Sequence, residues 1–587
     1  MKTYTYDIVI VGAGGAGMQA ALNASKSGSQ RVCVITKVFP TRSHTGAAQG
    51  GMNAVLQHAD AADSTESHVF DTIKGSDYLA DQDAVEFFSS GMPDVVLELE
   101  SMGVAYSRDK AGRIAQRKFG GASHPRCCYA QDKTGHLVLH ALYENCLKNN
   151  VTFLDDFNLL DVAVDENGVQ GIVALDMRKG EVALFEAKCV VLCTGGFGRI
   201  YWSRTTNATN MTGDGVAAAM RAGVPIKDAE MVQFHPTGLA KAGILLSEAC
   251  RGEGGYLLNS KGERFMKRYA PQKMELAARD VVARSIETEI KEGRGFGQGM
   301  QAYVLLDMRH LGEKLINERL PQVRKLALKF EGVDMAKEPV PVRPANHYSM
   351  GGIDVIDYKT CATKISGLFA AGECSNISVH GANRLGANSL SEVCFFGKCA
   401  GIACLQEAKE RACGKSDVLY ALGKSWEERF LHMLAKSSGV SCCKSGTASS
   451  SKNGIHIYEL REKMATALWE GAGIFRDETG LKKALQKIDE CIEQYESVYI
   501  KDTNKIYNSA FINYVELGNL LVIARSVCMG ALMRKESRGS HFRSDFTNRD
   551  DEHYLKHSLI TLHKNGKFSS SWRDVAITKY APQERVY

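Results

Sequence analysis

The sequence predicts an α/β protein whose first domain is a Rossmann-like nucleotide-binding domain. Three apolar segments, far apart in the 587-residue chain, carry this prediction. The first runs into a glycine fingerprint, the second ends in Gly195-Gly196, and the third ends in Gly372-Glu373. Strands that end in glycine are typical of parallel sheets that bind a nucleotide at their carboxyl ends. Because the segments are so widely separated, we expect one such domain interrupted by an insertion.

The glycine fingerprint lies between a strand and a helix. Gly12, Gly14 and Gly17 fit the pattern G-x-G-x-x-G, which lets backbone N–H groups approach a pyrophosphate at a helix N-terminus. The acidic residue that usually follows the second strand is missing, and Lys37 stands there. We expect Lys37 to contact a phosphate or a ring edge, or to be solvated. The predicted elements are a strand, Tyr6–Val11, a helix, Met18–Ser27, and a second strand, Arg31–Thr36.

A histidine segment, Phe39–Gly51, follows this unit directly. The chain leaving the second strand passes beside the bound nucleotide. We therefore expect His44 to lie beside a cofactor, with its side chain aimed at the reactive ring.

The rest of the chain divides by its pattern of apolar residues. Helical periodicity is clear in Ile457–Trp469, Leu481–Tyr499 and Tyr514–Lys535, the stretch Lys444–Asn453 reads as a loop, and the last fifty or so residues are polar. We expect four parts, namely a discontinuous nucleotide-binding domain of residues 1–230 and 348–415, an α+β capping domain of residues 231–347, a helical domain of residues 416–533 and a C-terminal tail domain of residues 534–587.

Composition excludes several classes of function. The chain is 44% hydrophobic and 24% charged, and its net charge of +5 is too small to favour nucleic acid. We find no apolar run that approaches the roughly 20 residues of a membrane span. The N-terminus enters a strand without a secretory signal. These features predict a cytoplasmic chain with no transmembrane segment of its own, whose membrane contact is indirect.

The 17 cysteines do not form a metal-binding pattern. No Cys-x-x-Cys is present, and the adjacent pairs Cys127-Cys128 and Cys442-Cys443 suit neither zinc nor an iron–sulfur cluster. We expect no metal site, and mostly reduced, buried thiols. Cys250, beside Arg251, is either an easily modified thiol or a packing residue.

Several segments combine glycine with arginine or imidazole groups. One such segment alone is more often a structured turn than a site, but two histidines and three arginines together suggest a pocket that grips two carboxylates. The segments are Gln233–Gly238, Ser247–Gly255, Ala278–Asp280, His347–Gly352 and His380–Gly386.

With these motifs, residues 5–560 resemble the flavoprotein subunits of succinate dehydrogenase and fumarate reductase. The resemblance implies that the nucleotide is FAD, bonded covalently to His44. It also implies noncovalent FAD contacts from a further set, namely Gly12, Gly14, Gly17, Lys37, Ser43, Thr45, Gln49, Gly50, Gly51, Asp214, Glu373, Ser389 and Leu390.

The resemblance also assigns roles in catalysis. Arg279 matches the residue that exchanges a proton with the substrate, and Glu248 and Arg251 match its proton-relay partners. The residues implied to bind the carboxylates of succinate or fumarate are His235, Ser247, His347 and Arg384. The family often has threonine where this chain has Ser247, which keeps the hydroxyl group.

The resemblance further implies partners. Because the chain encodes no haem or cluster motif, electrons should pass to an iron–sulfur subunit and then to a membrane-anchor subunit with quinone, at the cytoplasmic face of the inner membrane. Arg534–Arg538 is either part of a docking surface or a solvated basic face. The alternatives are a soluble flavoenzyme similar to aspartate oxidase or soluble fumarate reductase, and a noncatalytic flavin-binding module.

Overall fold

The computed structural model describes residues 1–412, 416–438 and 454–584. The predicted loop Lys444–Asn453 and the pair Cys442-Cys443 lie outside these residues. In chain order the strands are β1 (Lys2–Thr5), β2 (Ile8–Val11), β3 (Val32–Thr36), β4 (Met52–Asn53), β5 (Gln116–Arg117), β6 (Cys127–Cys128), β7 (Thr152–Asp155), β8 (Phe157–Asp165), β9 (Gly168–Asp176), β10 (Glu181–Glu186), β11 (Cys189–Leu192), β12 (Ile226–Lys227), β13 (Val232–Leu239), β14 (Tyr256–Leu258), β15 (Val304–Asp307), β16 (Val340–Ser349), β17 (Gly352–Asp354), β18 (Leu368–Ala370), β19 (Ser375–Asn376), β20 (Lys556–Leu562) and β21 (Phe568–Asp574). The helices are α1 (Gly15–Ser25), α2 (Thr65–Gly75), α3 (Gln82–Ser101), α4 (Thr134–Lys148), α5 (Asp214–Arg221), α6 (Ala249–Gly252), α7 (Met266–Tyr269), α8 (Arg279–Lys291), α9 (Gly312–Arg319), α10 (Pro321–Glu331), α11 (Asn388–Glu410), α12 (Asp417–Ser438), α13 (Ile457–Ala472), α14 (Glu478–Tyr495), α15 (Ser509–Met533) and α16 (Asp551–Tyr554).

A parallel sheet of order β18-β11-β2-β3-β7 forms the centre of the nucleotide-binding part. Its central strand β2 is buried at every residue, as its run of Ile and Val predicts. The three apolar segments of the sequence are therefore strands of one sheet, and the predicted α/β class is confirmed.

Helix α1 lies against both this sheet and α11. A Cβ atom at Gly17 would lie 1.8 Å from the carbonyl oxygen of Gly12, and one at Gly397 would lie 2.4 Å from that of Ala16. Gly12 itself has φ +106°, a conformation that favours glycine. These glycines allow α1 to lie close to the end of β2 and to α11.

The insertion carries its own sheet and core. Strands β13, β16, β15 and β14 are antiparallel, and α8 and α10 pack on them. A separate hydrophobic cluster lies here, distinct from the main core. The register of β13 and β16 shifts between His235 and Gly238, which breaks the regular pairing beside the candidate site.

Helix α15 corrects the expectation that no apolar stretch is long enough to span a membrane. By length and composition, Ser509–Met533 is the one helix of the described residues that could cross a bilayer. However, 72% of its most apolar window is buried inside the protein. It packs against α13, α14 and α5 in the interior of the protein.

The C-terminal part is joined to the nucleotide-binding part through a sheet of order β19-β17-β12-β20-β21. Arg534, Glu536 and Arg538 lie at its base and are at most 1% exposed. Arg534 bonds Glu230 at 2.8 Å, and Arg538 bonds Glu536 at 2.7 Å. The sequence left two interpretations of this stretch open, a docking surface and a solvated basic face. Both are wrong for these three side chains, because their charges are buried and form ion pairs inside the protein.

The boundaries of the four parts remain our proposal. The separate core of the insertion supports a capping domain of residues 231–347. The shared sheet argues that the C-terminal domain of residues 534–587 is stable only against the nucleotide-binding part.

Candidate active site

A cavity of about 490 Å³ lies between the nucleotide-binding part and the cap. Two sets of predicted site residues meet in its wall. On the nucleotide side these are Gly12, Gly14, Lys37, Ser43, His44, Thr45, Gln49, Gly50, Gly51, Asp214, Glu373, Ser389 and Leu390. On the opposite side they are His235, Ser247, Glu248, Arg279, His347 and Arg384. Two of the predicted site residues, Gly17 and Arg251, do not line the cavity.

Three buried polar atoms on the nucleotide side of the cavity are free to bind a ligand. The Oγ of Ser43, the Nδ1 of His44 and the Oε1 of Gln49 are buried and have no hydrogen-bond partner among the described residues. Buried polar atoms are normally paired, so these atoms suit the polar groups of a ligand. The N–H of Gly15 donates to the Oγ1 of Thr45 at 3.0 Å, which ties the histidine segment to the start of α1.

His44 lies in a short 3-10 helix, His44–Ala47, that packs on α4. Its side chain faces the cavity and is partly accessible from it. Desolvation lowers the pKa of His44 to about 4. The imidazole is therefore neutral at pH 7, the form in which a ring nitrogen has a free lone pair.

Lys37 forms an ion pair and is not solvated. Its Nζ bonds Asp214 at 2.7 Å and Glu516 at 2.8 Å. Burial opposes its charge, but the two carboxylates more than offset this and raise the pKa of Lys37. Because Lys37 and Asp214 both line the cavity, their fixed charges are available to a bound nucleotide.

Two buried carboxyl groups lie near the nucleotide side. Burial raises the pKa of Glu373 to about 7, although the N–H of Ser349 donates to it at 3.0 Å. Burial and the neighbouring Glu373 raise the pKa of Glu392 to about 8. Glu392 was not predicted as a site residue. It lies two residues after Leu390 on α11, so only the fold shows its proximity to Glu373.

Two neutral histidines lie side by side in the wall opposite the nucleotide side, on strands β13 and β16 of the cap. The ring centroids of His235 and His347 are 5.1 Å apart. Desolvation, together with nearby arginines, holds the pKa of both well below the usual range. The N–H of Thr237 donates to the Nδ1 of His235 at 3.2 Å, so the proton of the neutral ring is on Nε2. The Nδ1 of His347 is 2.8 Å from the hydroxyl of Thr206.

Arg384 and Arg279 meet at one carboxamide. The Oε1 of Gln233 accepts from Arg384 at 3.1 Å and from Arg279 at 3.3 Å. Burial and then Arg279 lower the pKa of Arg384 to about 10. Its guanidinium lies 4.5 Å above the ring of Tyr348. The sequence analysis did not predict a role for Gln233, although it lies only two residues before His235. Its position between the two arginines arises only when the chain folds.

Glu248 lies between two cap arginines. The Nε of Arg279 donates to its Oε2 at 2.7 Å, whereas the nearest nitrogen of Arg251 is 3.9 Å away. Burial favours the neutral acid, but Arg279 and Arg251 outweigh it and keep the pKa of Glu248 below its usual range. Ser247, the preceding residue, also lines the cavity.

Cys250 belongs to the core of the cap. It is fully buried among apolar residues, and desolvation raises its pKa to about 12. A thiol that stays protonated is unreactive, so the structure favours the packing role of Cys250 over easy modification.

Comparisons with known proteins agree with this geometry. Residues 7–390 match the family model described as an FAD binding domain, and residues 461–587 match that described as fumarate reductase flavoprotein C-term. The 8-methylmenaquinol:fumarate reductase flavoprotein subunit of Wolinella succinogenes is 47% identical over 99% of this chain and 92% of its own length. The mitochondrial succinate dehydrogenase [ubiquinone] flavoprotein subunit of Oryza sativa subsp. japonica is 43% identical over 100% of this chain and 93% of its own length.

The fold is also that of a solved relative. A structure of E. coli quinol fumarate reductase matches with a TM-score of 0.93 and 40% identity, covering 100% of this chain and 99% of that chain. The chain therefore belongs to the family of FAD-binding flavoprotein subunits of succinate dehydrogenase and fumarate reductase.

Proposed function

We propose that this chain is the catalytic flavoprotein subunit of a complex that interconverts succinate and fumarate. One observation carries the proposal: a single cavity has a nucleotide-binding wall on one side and two arginines with two neutral histidines on the other. The names of the relatives agree with it. They do not favour the soluble alternative, since both are subunits of quinone-linked enzymes.

The side chains opposite the nucleotide side of the cavity suit a dicarboxylate. Arg384 and His347 hold one carboxylate, and His235 and Ser247 hold the other. A guanidinium offers two parallel N–H groups to a carboxylate, and a neutral imidazole with a proton on Nε2 donates one more. Because these groups are buried, their charges act through little water and fix the substrate strongly.

Proton exchange with the substrate is the role of Arg279. FAD, when bound, supplies the two-electron acceptor or donor that exchanges a hydride with one methylene carbon of the substrate. Arg279 gives a proton to the other carbon during reduction and takes it up during oxidation. Glu248, bonded to the Nε of Arg279, exchanges the proton with Arg279, and Arg251 adds positive charge beside Glu248. Closure of the cap excludes water from this exchange.

We also propose that His44 carries a covalent bond to the isoalloxazine ring. Its neutral ring and unpaired Nδ1 support this, because a protonated imidazole has no lone pair to form the bond. The remaining FAD contacts proposed from the sequence keep that role, including Gly17, which acts through the close packing of α1.

The electrons then require a partner. Among the described residues there is no group of three or more metal-ligating side chains. We propose an iron–sulfur subunit as the next carrier and a membrane-anchor subunit with quinone beyond it, with this chain peripheral on the cytoplasmic face of the membrane. The quinol and ubiquinone in the names of the relatives support a quinone partner.

The test is turnover with artificial electron carriers. The purified FAD-loaded chain should reduce fumarate with a reduced dye and oxidise succinate with an oxidised dye. Failure of both reactions in a folded, FAD-containing sample would contradict the proposal.

A further inference from the structure

The Nδ1 atoms of the two pocket histidines, His235 and His347, are held in different ways. The Nδ1 of His235 accepts from the backbone N–H of Thr237 at 3.2 Å, and a backbone N–H can only donate. The Nδ1 of His347 is instead 2.8 Å from the hydroxyl of Thr206, and a hydroxyl can donate or accept. The fold therefore fixes the neutral form of His235, with its proton on Nε2, whereas the form of His347 depends on Thr206.

The hydroxyl of Thr206 is available to donate to His347. Its contact with the ring is its one hydrogen bond among the described residues. The hydroxyl of Thr237, in contrast, donates to the backbone carbonyl of Leu246 at 2.8 Å. Because no carbonyl or carboxylate oxygen in the described part of the chain takes the hydroxyl proton of Thr206, the Nδ1 of His347 is its acceptor.

Further hydrogen bonds hold Thr206 against His347. The N–H of Thr206 donates to the carbonyl of Asn346 at 2.8 Å, and the Nδ2 of Asn207 donates to the carbonyl of His347 at 2.9 Å. Thr206 and His347 both line the active-site cavity. The contact between the hydroxyl and the ring is therefore supported by the backbone on both sides and belongs to the wall of the site.

The position of the ring proton decides how His347 meets a carboxylate. Burial and the nearby charges of Arg384 and Arg279 hold the pKa of His347 well below its usual range, so the ring carries a single proton. With that proton on Nε2, the ring donates to a carboxylate oxygen. With the proton on Nδ1, the lone pair of Nε2 would face the carboxylate and repel it. A hydroxyl that donates to Nδ1 stabilises only the first form.

We propose that Thr206 is a positioning residue of the substrate site, whose hydroxyl donates to the Nδ1 of His347 and so keeps the ring proton on Nε2, where it binds a substrate carboxylate. This inference rests on the proposed function and adds a residue to its substrate site. Thr206 acts through His347 and touches none of the reacting atoms. Loss of its hydroxyl should therefore weaken the binding of substrate and leave the chemical step largely unchanged.

Thr206→Val tests the inference, because valine keeps the shape of threonine and lacks the hydroxyl. The probe is malonate, a dicarboxylate whose single methylene carbon cannot react. The Kd of malonate and the KM of fumarate and succinate should each rise about tenfold, as expected when a buried acceptor loses its donor. The kcat should stay within a few-fold of the wild type. The visible absorbance of the flavin shows that each sample contains FAD.

Two further variants serve as controls. Thr206→Ser keeps the hydroxyl and should restore the wild-type Kd and KM. Thr288→Val removes a threonine hydroxyl elsewhere in the cap, one that donates to the backbone carbonyl of Arg284 at 2.9 Å, and should leave both constants unchanged.

A double-mutant cycle shows whether Thr206 acts through His347. The change His347→Ala should by itself raise the Kd of malonate, because it removes a donor to the carboxylate. Adding Thr206→Val to that variant should raise the Kd little further, since the hydroxyl then has no ring to orient.

Three results would overturn the inference, each on its own. They are wild-type Kd and KM values in folded, FAD-containing Thr206→Val, an equal rise of both constants in Thr206→Val and Thr206→Ser, and fully additive effects in the cycle. If Thr206→Val does not retain FAD, Thr206→Ala takes its place under the same criteria. Failure of the proposed function is a distinct outcome, because then the wild type itself turns over neither succinate nor fumarate.

Discussion

At the residue scale, burial decides which side chains of the cavity are charged. His235 and His347 are neutral because desolvation and nearby arginines oppose a further positive charge. Arg384 keeps its charge at pH 7 although burial lowers its pKa to about 10. The site thus combines fixed cations with neutral hydrogen-bond donors, which suits a substrate with two negative charges.

Arg279→Ala should abolish turnover while FAD stays bound. The loss should be roughly 10²–10⁴-fold in kcat, since the variant lacks the group that moves the proton. Steady-state rates and the visible flavin spectrum measure the two effects. Arg309→Ala is the matched control, because Arg309 is a half-exposed cap arginine paired with Asp307. Substantial activity in Arg279→Ala would remove Arg279 from the mechanism.

His44→Ser should convert tightly held flavin into releasable flavin. The wild-type protein should keep its yellow colour after denaturation and precipitation, whereas the variant should release FAD into the supernatant. The absorbance of both fractions gives the result. Free flavin in the supernatant of the wild type would contradict the covalent bond.

Gln233 and Glu392 show the limit of sequence reasoning at this scale. The histidine and arginine positions were predictable because their residue types carry the chemistry. Gln233 is chemically ordinary, and its importance comes from accepting hydrogen bonds from two arginines that are distant in sequence.

At the element scale, local patterns predicted β2, α1, β3 and the later helices α13, α14 and α15 to within about five residues at each end. The predicted helix Met18–Ser27 starts at Gly15 in the structure, since the glycines belong to its first turn. The hairpin of β20 and β21 was not predicted. Its second strand contains Ser569–Ser571 with exposed side chains, so its stability comes from pairing with β20 and not from an apolar pattern of its own.

Gly17→Ala should weaken both α1 packing and FAD binding. Its new methyl group would lie 1.8 Å from the carbonyl oxygen of Gly12, and such overpacking costs about 1–3 kcal/mol. Gly480→Ala is the control, because this helical glycine has only ordinary contacts from 3.5 Å outward. Denaturant unfolding and flavin titration should separate the two variants. Equal stability of both would refute the packing argument.

At the scale of the whole molecule, buried ion pairs join the C-terminal part to the rest. His557 on β20 lies 2.6 Å from Asp228 and 3.3 Å from Asp81. Burial opposes its charge, but the two carboxylates outweigh it and raise the pKa of His557 to about 9. None of these pairings was visible in the sequence, because each pair of these residues is separated by more than a hundred positions.

This histidine predicts a loss of stability at alkaline pH. The pKa of His557 is about 9 in the folded protein and about 6.5 in the unfolded chain. The stabilisation that its charge gives is therefore complete below pH ~6.5 and is lost as the pH rises through 9. In His557→Gln the free energy of unfolding should fall less steeply over this range. The remaining slope should come from Glu373 and Glu392, whose pKa values burial raises to about 7 and 8. Denaturant titrations at several pH values measure it, and parallel curves for the two proteins would contradict the role of His557.

The central claim is that one cavity holds FAD beside a dicarboxylate. The most direct measurement is the visible absorbance of the flavin in the purified chain after anaerobic addition of succinate. We predict that succinate bleaches the flavin while fumarate appears, and that fumarate restores the colour of the reduced protein. A flavin that stays bound and does not respond to either acid would contradict the account.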